Sequence, residues 1–80
     1  MTRGEWLVGV DFNPSGSIGV VDVKAKTAEL IDLIDSLPSD FPEQSRLKAL
    51  ACEHIETAAM YAVKAVTKRM RPEPAGYGGM

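Results

Sequence analysis

The chain of 80 residues has one cysteine, one histidine and one tryptophan, and it has no long hydrophobic run. A lone cysteine forms no intrachain disulfide and no four-cysteine zinc cluster, which fits a reducing compartment such as the cytoplasm. No stretch approaches the roughly 18 apolar residues that a membrane span requires. The apolar residues near the start do not follow the pattern of a signal peptide. We therefore expect a soluble, cytoplasmic protein with no membrane partner.

An excess of charge of either sign is also lacking. Nine Lys and Arg stand against 11 Asp and Glu, for a net charge of −2, which argues against bulk electrostatic binding to nucleic-acid polymers. The basic residues nevertheless gather between positions 64 and 71, and acidic residues gather between 32 and 43. The basic cluster either stabilises a helix end or binds an anion.

Residues that carry catalysis are sparse. Cys52 and His54 lie two positions apart on a predicted helix, so they point in different directions and do not form a nucleophile pair. The segment WLVGVDFNPSGSIGVVDV resembles the opening of ribonuclease H-like and actin-like folds, in which an aspartate binds metal, but two helices replace the sheet that those folds need. We expect no enzyme, no metal site and no cofactor, with a degenerate ribonuclease H-like fragment as an alternative.

Two stretches have the apolar spacing of a helix. The first runs from Val20 to Leu37 and ends at Pro38, because the residue before a proline avoids the helical region. The second begins near Pro42 and continues to Met70. The short connection predicts an antiparallel two-helix hairpin of the all-α class, in which the longer second helix extends beyond the first at the basic end.

The predicted organisation is an N-terminal arm at 1–19, a helical hairpin domain at 20–70 and a flexible tail at 71–80. The arm contains the turn Asn13-Pro14-Ser15-Gly16 and is predicted as either a short strand or an ordered arm. A domain of this size has a marginal core. Because small and apolar residues cover more than one side of the second helix, we expect a homo-oligomer.

Anion binding with base stacking is the chemistry that the remaining residues suit. Phe12 could stack on a nucleobase, and Lys24 and Lys26 lie near the predicted start of the first helix, where phosphate is favoured. The alternative is that Phe12 belongs to the core and that both lysines are solvated.

Three segments, DFNPSG, KAKTAELIDLIDSLP and RLKALACEHIETAAMYAVKAVTK, resemble the phage anti-CBASS type 2 proteins, helical-hairpin sponges that sequester cyclic oligonucleotide signals of bacterial immunity. The resemblance covers about residues 10 to 68, and its most specific part is IETAAMYAVKA at 55–65. It implies a homohexamer in the infected bacterial cytoplasm that binds cyclic dinucleotides between paired subunits and cyclic trinucleotides where three subunits meet.

The resemblance also implies roles for individual residues. Phe12 matches the aromatic residue that stacks on cyclic dinucleotides, and Lys24, with Lys26 as a neighbouring candidate, matches the lysine that contacts phosphate. Asn13 and a basic residue late in the second helix, Lys64 or Arg69, are candidates for the cyclic trinucleotide site. The alternative function is a structural or regulatory helical oligomer that binds a protein partner.

Overall fold

The computed structural model describes residues 1–68, which form three helices: α1 (Arg3–Val8), α2 (Ile18–Asp35) and α3 (Pro42–Thr67). These residues contain no strand, so the prediction of an all-helical fold is confirmed. Of the two alternatives predicted for the arm, the short strand is wrong. The predicted tail at 71–80 lies outside the described residues, as do the last two residues predicted for the second helix.

The N-terminal arm is helical because it carries a capping box that sequence reasoning overlooked. The Thr2 hydroxyl accepts a hydrogen bond from the Glu5 backbone N–H at 3.1 Å, and the Glu5 carboxylate accepts one from the Thr2 N–H at 2.8 Å. This reciprocal pair satisfies backbone donors that the first turn of a helix leaves free. Gly9 ends α1 with a φ of 67°, a left-handed conformation that glycine adopts without steric cost.

The boundaries of α2 differ from the prediction by two residues at each end. Ser17 caps the helix by accepting a hydrogen bond from the Val20 N–H at 3.4 Å, so the helix begins at Ile18 instead of Val20. Serine is a favoured N-cap because its oxygen satisfies a backbone donor. Lys24, which was expected at the start of the helix, therefore lies in its second turn, away from the N-terminal N–H groups.

The core lies between α2 and α3 and is small. Its buried apolar residues are Val20, Ala28, Ile31, Cys52 and Ala59. The Cys52 thiol lies 4.0 Å from the Ile31 carbonyl oxygen, and the Lys48 ammonium donates to the Asp35 carbonyl at 2.9 Å. A methyl group on Gly19 would lie 3.0 Å from Val66.

These contacts place the early part of α3 beside the end of α2, and the end of α3 beside the start of α2. Because Lys48 is the α3 residue that meets Asp35, the six residues from Pro42 to Leu47 extend past α2 at the turn. The longer helix was expected to extend at the basic end, and that expectation is wrong. The connection at 36–41 is longer than predicted, and it carries the chain past α2 before α3 begins.

Helix α1 packs against the second half of α2, and the two backbones come very close at Gly4. The Gly4 N–H donates to Asp32 Oδ1 at 2.8 Å, and Arg3 forms a salt bridge with Asp35 at 2.7 Å. Asp35 is also the main reason that the pKa of the Arg3 guanidinium is raised above its ordinary value. A side chain at Gly4 would have its Cβ 2.1 Å from the Ala28 carbonyl oxygen, so the approach requires glycine.

Many large apolar side chains remain on the surface of this single chain. They include residues in all three helices and in both connections: Trp6, Phe12, Ile18, Leu33, Phe41, Leu47, Met60 and Tyr61. None of the three helices is long and apolar enough to cross a membrane. Exposed apolar side chains are typical of a binding or assembly surface where they lie side by side.

Candidate ligand-binding site

The turn between α1 and α2 is organised by the side chain of Asn13. Its carbonyl oxygen accepts hydrogen bonds from the Ser15 hydroxyl at 2.8 Å and from the Gly16 N–H at 3.1 Å, and its amide donates to the Ser17 carbonyl at 3.2 Å. Asparagine often closes turns in this way. Asn13 therefore fixes the path of the chain immediately after Phe12.

Lys24 is buried, with 7% of its surface exposed. Its ammonium donates to the Gly9 carbonyl at 2.8 Å and to the Phe12 carbonyl, and it lies 5.4 Å from the centre of the Phe12 ring. Both acceptors are uncharged. Lys24 thus connects α2 to the end of α1 and to the following turn, and it carries a positive charge into a largely covered position.

A cavity of about 400 Å³ lies between α1, the turn and α3. Its wall is mostly apolar and includes two lysines and one carboxylate: Trp6, Leu7, Val8, Gly9, Phe12, Lys24, Glu56, Ala59, Met60, Val63 and Lys64. This volume lies within the range of small-molecule sites, which are commonly apolar with a few polar groups that orient the ligand.

A second cavity of about 230 Å³ adjoins the same turn. Its lining is Phe12, Asn13, Pro14, Ser15, Val20, Lys24, Val63 and Thr67. Phe12, Lys24 and Val63 line both cavities. These three residues therefore form the shared wall between two adjoining spaces.

The structure brings the two principal predicted residues together and separates the others. Phe12 and Lys24 are in contact, as described above, and the Phe12 side chain is 70% exposed. The alternative of Phe12 as a core residue is therefore wrong for this chain. Lys26 is exposed and lies two positions along α2 from Lys24, so the two lysines point in different directions.

Two residues predicted for the trinucleotide site, Asn13 and Lys64, line different cavities of the described part of the chain. Asn13 lines the second cavity and Lys64 lines the first. The Lys64 ammonium lies 5.8 Å from the centre of the Tyr61 ring, a cation–π distance. Arg69 lies outside the described residues.

The residues of the first cavity that sequence reasoning missed include Trp6, Glu56 and Met60. Trp6 could have been found from two signals. It is the sole tryptophan of the chain, and the capping box at Thr2 places it on a helix. The positions of Glu56 and Met60 depend on how α1 packs near α3, which no local pattern reports.

Aromatic rings beside one buried and one exposed ammonium group, those of Lys24 and Lys64, suit a flat, anionic ligand. The rings offer stacking surfaces, and the lysines supply positive charge at the cavity wall. No group of histidine, cysteine, aspartate or glutamate side chains within residues 1–68 has the arrangement of a metal site.

The fold and the site together define a small helical-hairpin domain with paired cationic and aromatic cavities. A family model described as "Acb2/Tad1, hairpin domain" matches residues 7–67, and the chain belongs to this family, the anti-CBASS type 2 sponges. No curated protein and no solved structure matches the chain. The family resemblance seen in the sequence is thereby confirmed over nearly the whole described part of the chain.

Proposed function

We propose that this chain binds cyclic dinucleotides and cyclic trinucleotides and holds them without cleaving them, so that a phage depletes the CBASS signal in the cytoplasm of its host. The observation that carries the proposal is the contact between Phe12 and Lys24 at the shared wall of two cavities. Membership of the sponge family supports the same function.

The exposed ring of Phe12 is the proposed stacking surface for a nucleobase. Stacking of one base on an aromatic side chain contributes about 1 to 3 kcal/mol. The turn that precedes α2 is braced by Asn13, so the ring is held by an ordered segment and loses little conformational entropy on binding.

Lys24 is the proposed phosphate contact. A buried ammonium with only neutral acceptors is incompletely compensated, and a phosphate oxygen near it would supply the missing negative charge in a charge-assisted hydrogen bond. Lys26 remains a proposed auxiliary contact from the exposed side of α2. Asn13, Lys64 and Arg69 remain the proposed contacts for a cyclic trinucleotide.

We further propose that the domain is an antiparallel hairpin that assembles as a homo-oligomer, with a hexamer as the expected state. The contacts of Lys48 with the end of α2 support the antiparallel arrangement, and the exposed apolar side chains support assembly. Ligand cavities that open on the surface of one chain would then be completed by a neighbouring subunit.

Calorimetric titration with 3′,3′-cyclic GMP-AMP and with a cyclic trinucleotide tests the binding. The chain has two phenylalanines, and both are exposed, which provides a matched pair of variants. Phe12→Ala is expected to weaken cyclic dinucleotide binding by about 10- to 100-fold, whereas Phe41→Ala, which lies at the far turn, is expected to bind as the unmodified protein does.

Recovery of the ligand after denaturation tests the absence of cleavage. Chromatography should return intact cyclic nucleotide in a stoichiometric amount. Appearance of a linear product would contradict the sponge mechanism, and failure to bind any cyclic di- or trinucleotide would contradict the function as a whole.

A further inference from the structure

One side of α3 faces away from the core, and within the described residues no other helix covers it. Its members recur at spacings of one, three and four residues: Leu47, Leu50, Ala51, His54, Ala58, Tyr61, Ala62 and Ala65. This spacing places them on one stripe of a helix. All of them are exposed except Ala51 and Ala62, which are partly exposed. We refer to these eight residues as the outer face of α3.

Large and small side chains follow a reciprocal order along the outer face. The first half holds the large residues Leu47, Leu50 and His54, and the second half holds alanines at the positions that mirror them about residue 56, namely 65, 62 and 58. In the fourth pair the large residue, Tyr61, lies in the second half of the face and the alanine, Ala51, lies in the first half. Every large residue of the face is therefore mirrored by an alanine.

We propose that the outer face of α3 packs against the same face of a second copy of this chain, with the two α3 helices antiparallel and the twofold axis beside residue 56. This inference rests on the self-association included in the proposed function, and it identifies the surface, the register and the direction of one subunit contact. It does not depend on the identity of the ligand.

In the antiparallel register, the large side chains of each outer face lie opposite the small side chains of the other. Leu47 lies opposite the partner's Ala65, Leu50 opposite the partner's Ala62, and Tyr61 opposite the partner's Ala51. Each large side chain thus enters a space left by an alanine, as interdigitated helix packing requires. A twofold contact uses the same patch on both subunits, so each of these pairs occurs twice.

A parallel pairing of the same faces packs less well. It would set Leu47 against Leu47 of the partner subunit and Ala65 against Ala65 of the partner subunit. Leucines that meet head-on hold the helix axes apart, and the alanines at the other end would then leave a void. Voids forfeit dispersion contacts and cost free energy.

Charge at the ends of the outer face favours the same direction. Glu43 and Lys68 lie on the continuation of this stripe and are exposed. Glu43 also forms a salt bridge with Arg46 of its own chain at 2.6 Å, so its charge is partly balanced already. In the antiparallel register Glu43 lies within about one residue of the partner's Lys68, whereas a parallel pairing brings like charges together at both ends. Complementary end charges select direction and register more than they add affinity.

Disulfide cross-linking tests whether the two α3 helices run antiparallel, with one new cysteine introduced in each chain. In the antiparallel register two copies of Leu47→Cys lie about 27 Å apart at 1.5 Å per residue, too far for a disulfide. A mixture of differently tagged Leu47→Cys and Ala65→Cys chains is expected to form the mixed dimer, while either variant alone is expected to remain largely uncoupled.

The control for cross-linking uses Glu29→Cys, an exposed position on α2, mixed with Leu47→Cys. The native Cys52 is present in every variant and is buried. Efficient coupling of Leu47→Cys alone would indicate a parallel contact and would overturn the proposal. Coupling of Leu47→Cys with Glu29→Cys as efficient as with Ala65→Cys would also overturn it.

Sedimentation of the ligand-free protein tests whether the outer face of α3 mediates association. It compares the same substitution, alanine to arginine, at two positions of α3. Ala58→Arg puts a charge at the centre of the outer face, and we expect it to weaken association by about 100-fold. Ala49→Arg places the same side chain on an exposed part of α3 outside this face and is expected to leave the mass unchanged. Equal masses for both variants would overturn the proposal.

Ligand titration of the unmodified protein keeps the two inferences separate. A chain that forms the predicted cross-link but binds no cyclic nucleotide would contradict the proposed function and leave the contact standing. A chain that binds ligand but whose association is insensitive to Ala58→Arg would contradict the contact and leave the proposed function standing.

Discussion

Some residues of this small chain have both a structural and a proposed binding role, and Lys24 is the main example. The family resemblance implies that it contacts phosphate, yet its ammonium also joins the carbonyls of Gly9 and Phe12. It therefore orders the turn that presents the Phe12 ring. A phosphate at this position would approach an ammonium that the fold has already oriented, so little rotamer entropy is lost on binding.

Gly4 is the residue at which the smallest change should have a clear effect. Gly4→Ala would place a methyl group 2.1 Å from the Ala28 carbonyl oxygen, and because backbone cannot yield cheaply, we expect a loss of about 1 to 3 kcal/mol in the free energy of unfolding. Urea unfolding of the variant beside the unmodified protein measures this loss.

Gly19→Ala is the matched control for Gly4→Ala. Its added methyl group meets Val66 methyl groups at 3.0 and 3.5 Å and the Ser17 hydroxyl at 3.4 Å, which are side-chain atoms that can shift. Alanine also favours the helix by roughly 1 kcal/mol over glycine. We expect a change within about 1 kcal/mol, and equal stability of the two variants would contradict the close packing of α1 on α2.

At the scale of elements, α1 depends on its neighbours. It has six residues, far fewer than an isolated helix needs to persist in water. Its capping box satisfies its first turn, but its position is set by the Gly4 bond to Asp32, the Arg3 salt bridge and Lys24. Because α1 contributes Trp6 to the larger cavity, the integrity of the site depends on this attachment.

Loss of one contact between α1 and α2 should detach α1 from the rest of the fold while α2 and α3 stay helical. Asp32→Ala deletes the acceptor of the Gly4 N–H, a hydrogen bond to a charged group that is worth about 1.5 to 3 kcal/mol. Amide hydrogen exchange is expected to speed up at residues 3–9 and to change little in the centres of α2 and α3.

Asp22→Ala is the control for this experiment, because Asp22 is an exposed aspartate on the same helix. It is expected to leave exchange in α1 unchanged. Uniform acceleration across all three helices in Asp32→Ala would show that α1 is not a separate unit and would contradict this account of its attachment.

At the scale of the whole molecule, the hydrophobic core is small compared with the apolar surface that remains exposed. Five apolar residues are buried in the described part of the chain, while large side chains such as Trp6, Leu47 and Tyr61 are exposed. Domains of this size are marginally stable by themselves. Association would remove part of this apolar surface from water.

Stability that arises from association depends on protein concentration. Because subunits that bind only the folded chain stabilise it by mass action, we expect the midpoint of thermal unfolding to rise as the concentration increases from micromolar to millimolar. Calorimetry over such a series measures the shift. For the Ala58→Arg variant the midpoint should vary less with concentration, and a midpoint independent of concentration in the unmodified protein would contradict stabilisation by assembly.

Much of the architecture is encoded in local patterns. Apolar residues at helical spacing predict both long helices, and Pro42 predicts the start of α3 where the structure has it. The capping box from Thr2 to Glu5 also encodes α1, although the apolar residues that follow suggested a strand. Of the two alternatives predicted for the arm, the short strand is wrong, because a short run of apolar residues is compatible with either strand or helix.

The sequence by itself determined the helical class, the family and the candidate residues Phe12 and Lys24, because spacing, caps and segment similarity are local properties of the chain. Only the tertiary structure decided that Lys24 is buried against the end of α1, that Phe12 and Lys24 separate two cavities, and that Trp6 and Met60 line the larger one. The physical reason is that these facts depend on contacts between α1, α2 and α3, whose residues are distant in the chain. No periodicity within one segment reports such packing.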